Sequence, residues 1–249
     1  MRAVVLKHLE GEGPGLLGDI LSRHGIEFDC VNLNAGLSMP APENCQLMLV
    51  MGASQQVWQE DKYPWLVEEK ATIRHWVQDL RKPYFGVCFG HQLLADALGG
   101  EVGPAKKDEL GMLQVKRSEA ASADPVFSAM ADNDRWLQWH TAEVIVPPPD
   151  ARVTASSKAC AIQAMSVGPH AASIQFHAEA TMERVDSWLT VRECIDNMAA
   201  LRGEGAHERF LKQALEYLPQ ANKNAERLFT RWLSVNGLIR AERAPAAAS

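Results

Sequence analysis

Cys88 lies between two glycines in the run Tyr84-Phe85-Gly86-Val87-Cys88-Phe89-Gly90-His91-Gln92. The residues before it are apolar and strand-like, and those after it are helix-forming. A strand that turns sharply into a helix can present a side chain at its apex, provided that small neighbours relieve the crowding of the turn. The helix N-terminus then offers unpaired N–H groups and a positive dipole end, which favour thiolate over thiol. The backbone N–H of Phe89 is directed to where an oxyanion would form during attack on a carbonyl. This spacing suits nucleophilic acyl transfer.

A thiol needs a base, and the base needs an orienting group. Ser173-Ile174-Gln175-Phe176-His177-Ala178-Glu179 supplies a candidate pair. Two residues apart in extended chain, His177 and Glu179 project to the same side. A carboxylate on one ring nitrogen fixes the tautomer and leaves the other for the sulfur. Taken alone, a cysteine between glycines is as readily a packing residue, and a His-x-Glu spacing arises by chance. Their occurrence together, in this order, favours chemistry. The eight histidines are scattered without the H-x-x-x-H ligand spacing, so no metal site is expected, and nothing demands an organic cofactor.

The elements that must position these residues are read from periodicity. Residues 2–7, 28–33, 47–51 and 83–88 are apolar runs that predict strands, and residues 16–24, 65–80 and 91–98 predict helices. Alternation of this kind implies an α/β fold: an open, mostly parallel sheet flanked by helices, flavodoxin-like in plan. Short strand candidates at Val115, 136–140, 144–146, 152–155, 161–165 and 172–176 suggest a small antiparallel addition. From Thr190 the chain turns helical, with one apolar stripe at Phe210, Leu211, Ala214, Leu215 and Leu218 and another at Ala225, Leu228, Phe229, Trp232 and Leu233. The expected organisation is a catalytic domain over residues 1–189, a helical C-terminal extension over 190–243 packed on it, and a disordered tail over 244–249. Pro40-Ala41-Pro42 marks a loop.

Composition narrows the setting. A net charge of −6 gives no reason to expect nucleic acid or an anionic membrane as partner. No apolar run approaches the roughly 18 residues needed to span a bilayer, and a signal peptide would need a longer apolar core than the N-terminal strand provides. The five cysteines, Cys30, Cys45, Cys88, Cys160 and Cys194, are far apart and odd in number. A disulfide framework is therefore not expected, and a reducing cytoplasm is the natural location.

With these residues in view, the sequence resembles the class I glutamine amidotransferase family. Gly86-Val87-Cys88-Phe89-Gly90-His91-Gln92 matches its G-x-C-x-G-x-Q signature, and Phe176-His177-Ala178-Glu179 its F-H-P-E element, with alanine for proline. The resemblance spans about residues 1–190. It includes Met51-Gly52-Ala53-Ser54, where relatives usually carry G-G-P, and Trp139-His140-Thr141, where they carry H-G or H-S. It implies that Cys88, His177 and Glu179 form a triad. It also implies that Phe89 and either Gly52 or Ala53 hold the oxyanion. Gln92 and the segment Trp139, His140, Thr141 and Ala142 would bind the amino-acid end of a glutamine-like substrate. Ala53-Ser54 in place of Gly-Pro puts that half of the oxyanion hole in question, and Thr141-Ala142 in place of G-D or S-D alters how the charged end is held.

Two enzymatic readings follow from the resemblance. One is a stand-alone hydrolase of γ-glutamyl amides, working through a γ-glutamyl thioester and releasing glutamate and an amine. The other is a glutaminase subunit passing ammonia from L-glutamine to a separate synthase partner. Tyr63-Pro64-Trp65-Leu66 and Leu93-Leu94-Ala95-Asp96-Ala97-Leu98-Gly99 look most like free-standing members, γ-glutamyl peptidases and amide hydrolases among them, and no synthase domain is recognisable, so the hydrolase is favoured. A non-catalytic binding relative is a third reading, disfavoured because all three triad residues are kept. Association into a homo-oligomer is left open.

Overall fold

A computed structural model describes residues 1–37 and 41–240. Its parallel half is built from β1 (Arg2–Lys7), β2 (Glu27–Asn32), β3 (Leu47–Val50), β4 (Tyr84–Val87) and β9 (Ala171–Ile174), in the order β2-β1-β3-β4-β9. The inner strands β1, β3, β4 and β9 are apolar on both faces because both faces are covered, while β2 forms the more exposed edge. Ala3 and Val5 of β1 enter one core cluster, while Val4 and Leu6 enter another on the opposite face. Leu47 and Leu49 of β3 divide from Met48 and Val50 in the same way.

Helices α2 (Trp65–Arg74) and α3 (Phe89–Ala97) cover one face. The other is covered by α1 (Gly15–Arg23), α4 (Met182–Thr190), α5 (Arg192–Arg202) and the long α6 (Ala206–Val235). The two apolar stripes expected near the C-terminus are one helix, α6. Its Phe229 and Trp232 meet Phe85 of β4 edge-on, at centroid distances of 5.2 and 5.3 Å. Leu215, assigned to the stripe from sequence, is 60% exposed instead. It follows Ala214 by one residue, and a step of one turns it about 100° from the buried line.

The antiparallel half continues the sheet as β9-β8-β7-β5-β6, through β8 (Ala164–Val167), β7 (Ala151–Ser156), β5 (Glu101–Arg117) and β6 (Asp134–Val146). It is larger than the sequence indicated. The separate candidates at 136–140 and 144–146 are one strand, and only Val115 pointed to the 17-residue β5. The charged run Lys106-Lys107-Asp108-Glu109 concealed β5: Lys106 and Lys107 are exposed, whereas Glu109 is buried against His140, so charge there does not mark the outer face. The predicted helix over 65–80 is α2 followed by a π-turn over His75–Asp79. Helical structure resumes at Met182 rather than Thr190. Thr181 caps α4 by accepting from the Arg184 N–H at 3.3 Å, and Glu183 lies in its first turn. Among the described residues no helix is long and apolar enough to cross a membrane. Pro40, residues 241–243 and the tail over 244–249 lie outside the described residues.

Candidate active site

The turn from β4 into α3 places Cys88 at φ +52° and ψ −100°, a region that costs a non-glycine residue roughly 1–3 kcal/mol. Its neighbours over-determine that conformation. The Cys88 N–H donates to the Ile174 carbonyl of β9 at 2.8 Å. A Cβ on Gly90 would lie 2.1 Å from the Val50 carbonyl oxygen, and one on Gly86 would lie 2.6 Å from that of Gly90. Both glycines are therefore required by close backbone approach. As the first residue of α3, Phe89 has an N–H with no carbonyl a turn below it to bond.

His177 and Glu179 lie in the turn that follows β9. The His177 N–H donates to the Leu137 carbonyl of β6 at 2.8 Å, and the Glu179 carbonyl accepts from the Leu16 N–H at the start of α1 at 3.0 Å. Gly15 permits that second contact, since a Cβ there would lie 2.3 Å from the Glu179 carbonyl oxygen. So fixed, His177 donates from Nδ1 to Glu179 Oε1 at 2.6 Å. Nε2 is buried and has no hydrogen-bond partner among the described residues. Burial opposes a charged ring, but the carboxylate of Glu179 and then the sulfur of Cys88 outweigh it and hold the His177 pKa well above the usual 6.5. Gly52 closes the gap: a Cβ there would lie 3.4 Å from His177 Cε1 and 3.8 Å from Cys88 Cβ.

The raised His177 pKa has a testable consequence. The charged ring persists through neutral pH and is lost as pH rises through the raised value. Its contribution to stability is fully present below the ordinary histidine value and disappears over the same upper range. In a profile of kcat/KM against pH, the alkaline limb is expected well above 6.5. Glu179→Gln removes the strongest of the raising influences, so that limb is expected to move down. An unmoved limb in the variant would show that Glu179 does not set the charge of His177.

The predicted residues Cys88, His177, Gly52, Ala53, Gln92, Trp139, His140, Thr141 and Ala142 all line one cavity of about 350 Å³. Phe89 and Glu179 lie behind its wall. The side chains of Gln92 and His140 are tied into that wall. Gln92 Nε2 donates to the Ala142 carbonyl and to Gln175 Oε1, both at 3.1 Å. His140 Nδ1 meets the same Ala142 carbonyl at 3.0 Å, and its Nε2 meets Glu109 Oε2 at 3.1 Å across the β5–β6 pair.

Several residues of the site escaped sequence reading. Gln175, wholly buried, donates from Nε2 to Cys88 Sγ at 3.6 Å. Its place directly after β9 and two residues before His177 was the available signal. Glu12, Gln55, Trp188, Glu193, Cys194 and Asn197 also line the cavity. Gln55 Oε1 is buried without a partner among the described residues. Trp139 donates to Asn197 Oδ1 at 2.9 Å and meets Trp188 edge-on at 5.3 Å, while Trp188 donates to Glu12 Oε1 at 3.2 Å. Thus α4 and α5 close one side of the cavity.

Residues 21–196 match the family model described as glutamine amidotransferase class-I. The chain is 25% identical to gamma-glutamyl peptidase 2 of Arabidopsis thaliana, over 75% of this chain and 71% of that protein. It is 37% identical to a glutamine-hydrolyzing GMP synthase subunit from Ignicoccus hospitalis, over 40% of this chain and 52% of that protein. The chain thus spans about half the length of that relative. The crystal structure of a glutamine amidotransferase from Thermotoga maritima superposes with a TM-score of 0.82 at 25% identity, covering 94% of this chain and 98% of the other. The chain belongs to the glutamine amidotransferase class-I family.

Proposed function

We propose that this protein hydrolyses γ-glutamyl amides whose amine is larger than ammonia. The observation that carries this reading is the cavity: of about 350 Å³, within the range of small-molecule sites, it has Trp139 and Trp188 in its wall as apolar surface for a substituted amine. The extent of similarity to gamma-glutamyl peptidase 2 supports the same reading. Similarity to GMP synthase subunits favours the second reading, a glutaminase that delivers ammonia to a synthase partner.

In the proposed reaction Cys88 attacks the γ-carbonyl as thiolate. The carbonyl oxygen takes up negative charge facing the Phe89 N–H and an N–H of the 52–53 segment. His177, already protonated, gives its Nε2 proton to the departing amine while Nδ1 stays on Glu179. The γ-glutamyl thioester remains. Neutral His177 then removes a proton from water, hydroxide adds to the thioester carbonyl, and the sulfur leaves as thiolate facing the N–H of Gln175. The products are glutamate and the amine. Gln92 and His140 shape the glutamyl side through the Ala142 carbonyl, with the backbone of 139–142 facing the substrate. The five cysteines are all free, which fits a cytoplasmic setting.

The test is to incubate the purified chain alone with L-glutamine and with a panel of N-γ-glutamyl amides of increasing amine size. Faster release of larger amines than of ammonia is the expected result. Turnover of glutamine only, and only with a second protein present, would establish the glutaminase reading in its place.

A further inference from the structure

His8 follows β1 directly and is wholly buried, as is Glu69 of α2 apart from 1% of its surface. His8 Nε2 lies 3.0 and 3.2 Å from the two carboxylate oxygens of Glu69, and Nδ1 lies 3.2 Å from the Gly52 carbonyl oxygen. The ring stacks on Trp65 at 5.4 Å and meets the Phe89 ring edge-on at 5.0 Å. Neither His8 nor Glu69 lines the cavity. Burying such a pair is costly, and an apolar pair of similar shape would pack without that cost. Its contact with Gly52 gives it a use.

The proton inventory fixes one nitrogen. The Gly52 carbonyl only accepts, so the contact at Nδ1 requires an N–H there. If Glu69 is ionised, Nε2 also carries a proton. If Glu69 holds a proton, it donates to Nε2 and the neutral ring keeps its proton on Nδ1. In either state of Glu69 an Nδ1 proton is accommodated, and the one form that leaves the Gly52 carbonyl without a donor is a neutral ring protonated only at Nε2.

That bond orients the next N–H. In a trans peptide, the carbonyl of residue 52 and the N–H of residue 53 point in opposite directions. With the carbonyl drawn back to His8, the Ala53 N–H is turned away from His8, and Gly52 and Ala53 both line the cavity with Cys88. A glycine at 52 rotates cheaply, and a flipped peptide would aim a carbonyl at the developing oxyanion. No proline follows at 53 or 54 to stiffen the segment.

We propose that His8, held by Glu69, is a positioning residue. It locks the 52–53 peptide so that the Ala53 N–H completes the oxyanion hole with the Phe89 N–H. Through its ring contact with Phe89, it also keeps the two donors in register. This role rests on the acyl-transfer reading of Cys88.

His8→Asn and His8→Leu both shorten the side chain and lose similar packing, but only asparagine can donate to the Gly52 carbonyl. With a chromogenic γ-glutamyl anilide, H8L is expected to lose roughly 10²-fold in kcat, on the scale of an oxyanion-hole donor, with KM changed only a few fold. H8N is expected to retain most of the rate. Alkylation of Cys88 by iodoacetamide proceeds at a saturated carbon and builds no oxyanion, so its rate should be alike in both variants. Equal kcat in H8N and H8L would overturn the proposal, as would a parallel loss of alkylation and turnover in H8L. If H8L does not fold, ¹⁵N NMR of the wild-type protein decides: His8 Nδ1 must be protonated, and an unprotonated Nδ1 overturns it. A Cys88→Ala control separates the two levels. Residual turnover there would refute the acyl-transfer reading itself, whereas a dead C88A beside equal H8N and H8L would refute only the role of His8.

Discussion

Cys88→Ala is expected to abolish amide hydrolysis while leaving the fold intact. The sulfur belongs to a cavity-lining residue at the start of α3, beside His177, and its neighbours are arranged around it. The backbone is held at φ +52°, the carbonyls of Val50 and Gly90 crowd the flanking glycines, and the Gln175 amide donates to Sγ. Alanine keeps the backbone and removes the bond-forming atom, so thermal unfolding should change little. Cys88→Ser should also be nearly inactive, because a hydroxyl surrenders its proton far less readily than a thiol. Mass spectrometry of the wild-type protein, quenched during turnover, should show a γ-glutamyl adduct on the peptide containing Cys88. Undiminished activity of C88A, or an adduct at another residue, would remove the basis for the mechanism.

His177→Ala is expected to lower kcat/KM by roughly 10²–10⁴-fold, the usual worth of a positioned acid–base group. In the proposed reaction both halves use Nε2 of His177, which first gives a proton to the amine and then takes one from water. The other buried histidines near the site are already engaged. Burial pushes the His91 pKa down to about 3, and its nitrogens are engaged with Ser173 Oγ and the Ile162 carbonyl. His140 is held between Ala142 and Glu109, and His8 between Gly52 and Glu69. Steady-state kinetics of H177A, with the anilide and with an amide of poorer leaving group, provide the measurement. The loss should be larger for the poorer leaving group, because an amine of high basicity depends more on protonation. A loss of only a few fold on both would mean that another group carries the proton.

The parallel half of the fold was legible because its inner strands are buried on both faces, which leaves continuous apolar runs such as Ala3–Leu6 and Leu47–Val50 in the sequence. The β5–β6 pair was not, because it carries exposed lysines beside buried glutamates, Glu109 and Glu143, which disguise its period. A similar contrast divides the site. The cysteine bracketed by glycines and the His-x-Glu pair each lie within a few residues of chain, where local geometry dictates residue type, so their placement around one cavity could be anticipated. Gln175, the wall formed by Trp188 and Asn197, and the His8–Glu69 pair depend on contacts between segments tens of residues apart. No local constraint marks a tryptophan as a cavity wall or a buried histidine as a peptide anchor. By itself the sequence pointed to Cys88 as the proposed nucleophile, to His177 as its proposed base and to the two strands that precede them. Only the tertiary structure decided which distant helices enclose the cavity and which buried pair faces the 52–53 peptide, because those choices rest on packing between segments that share no sequence neighbourhood.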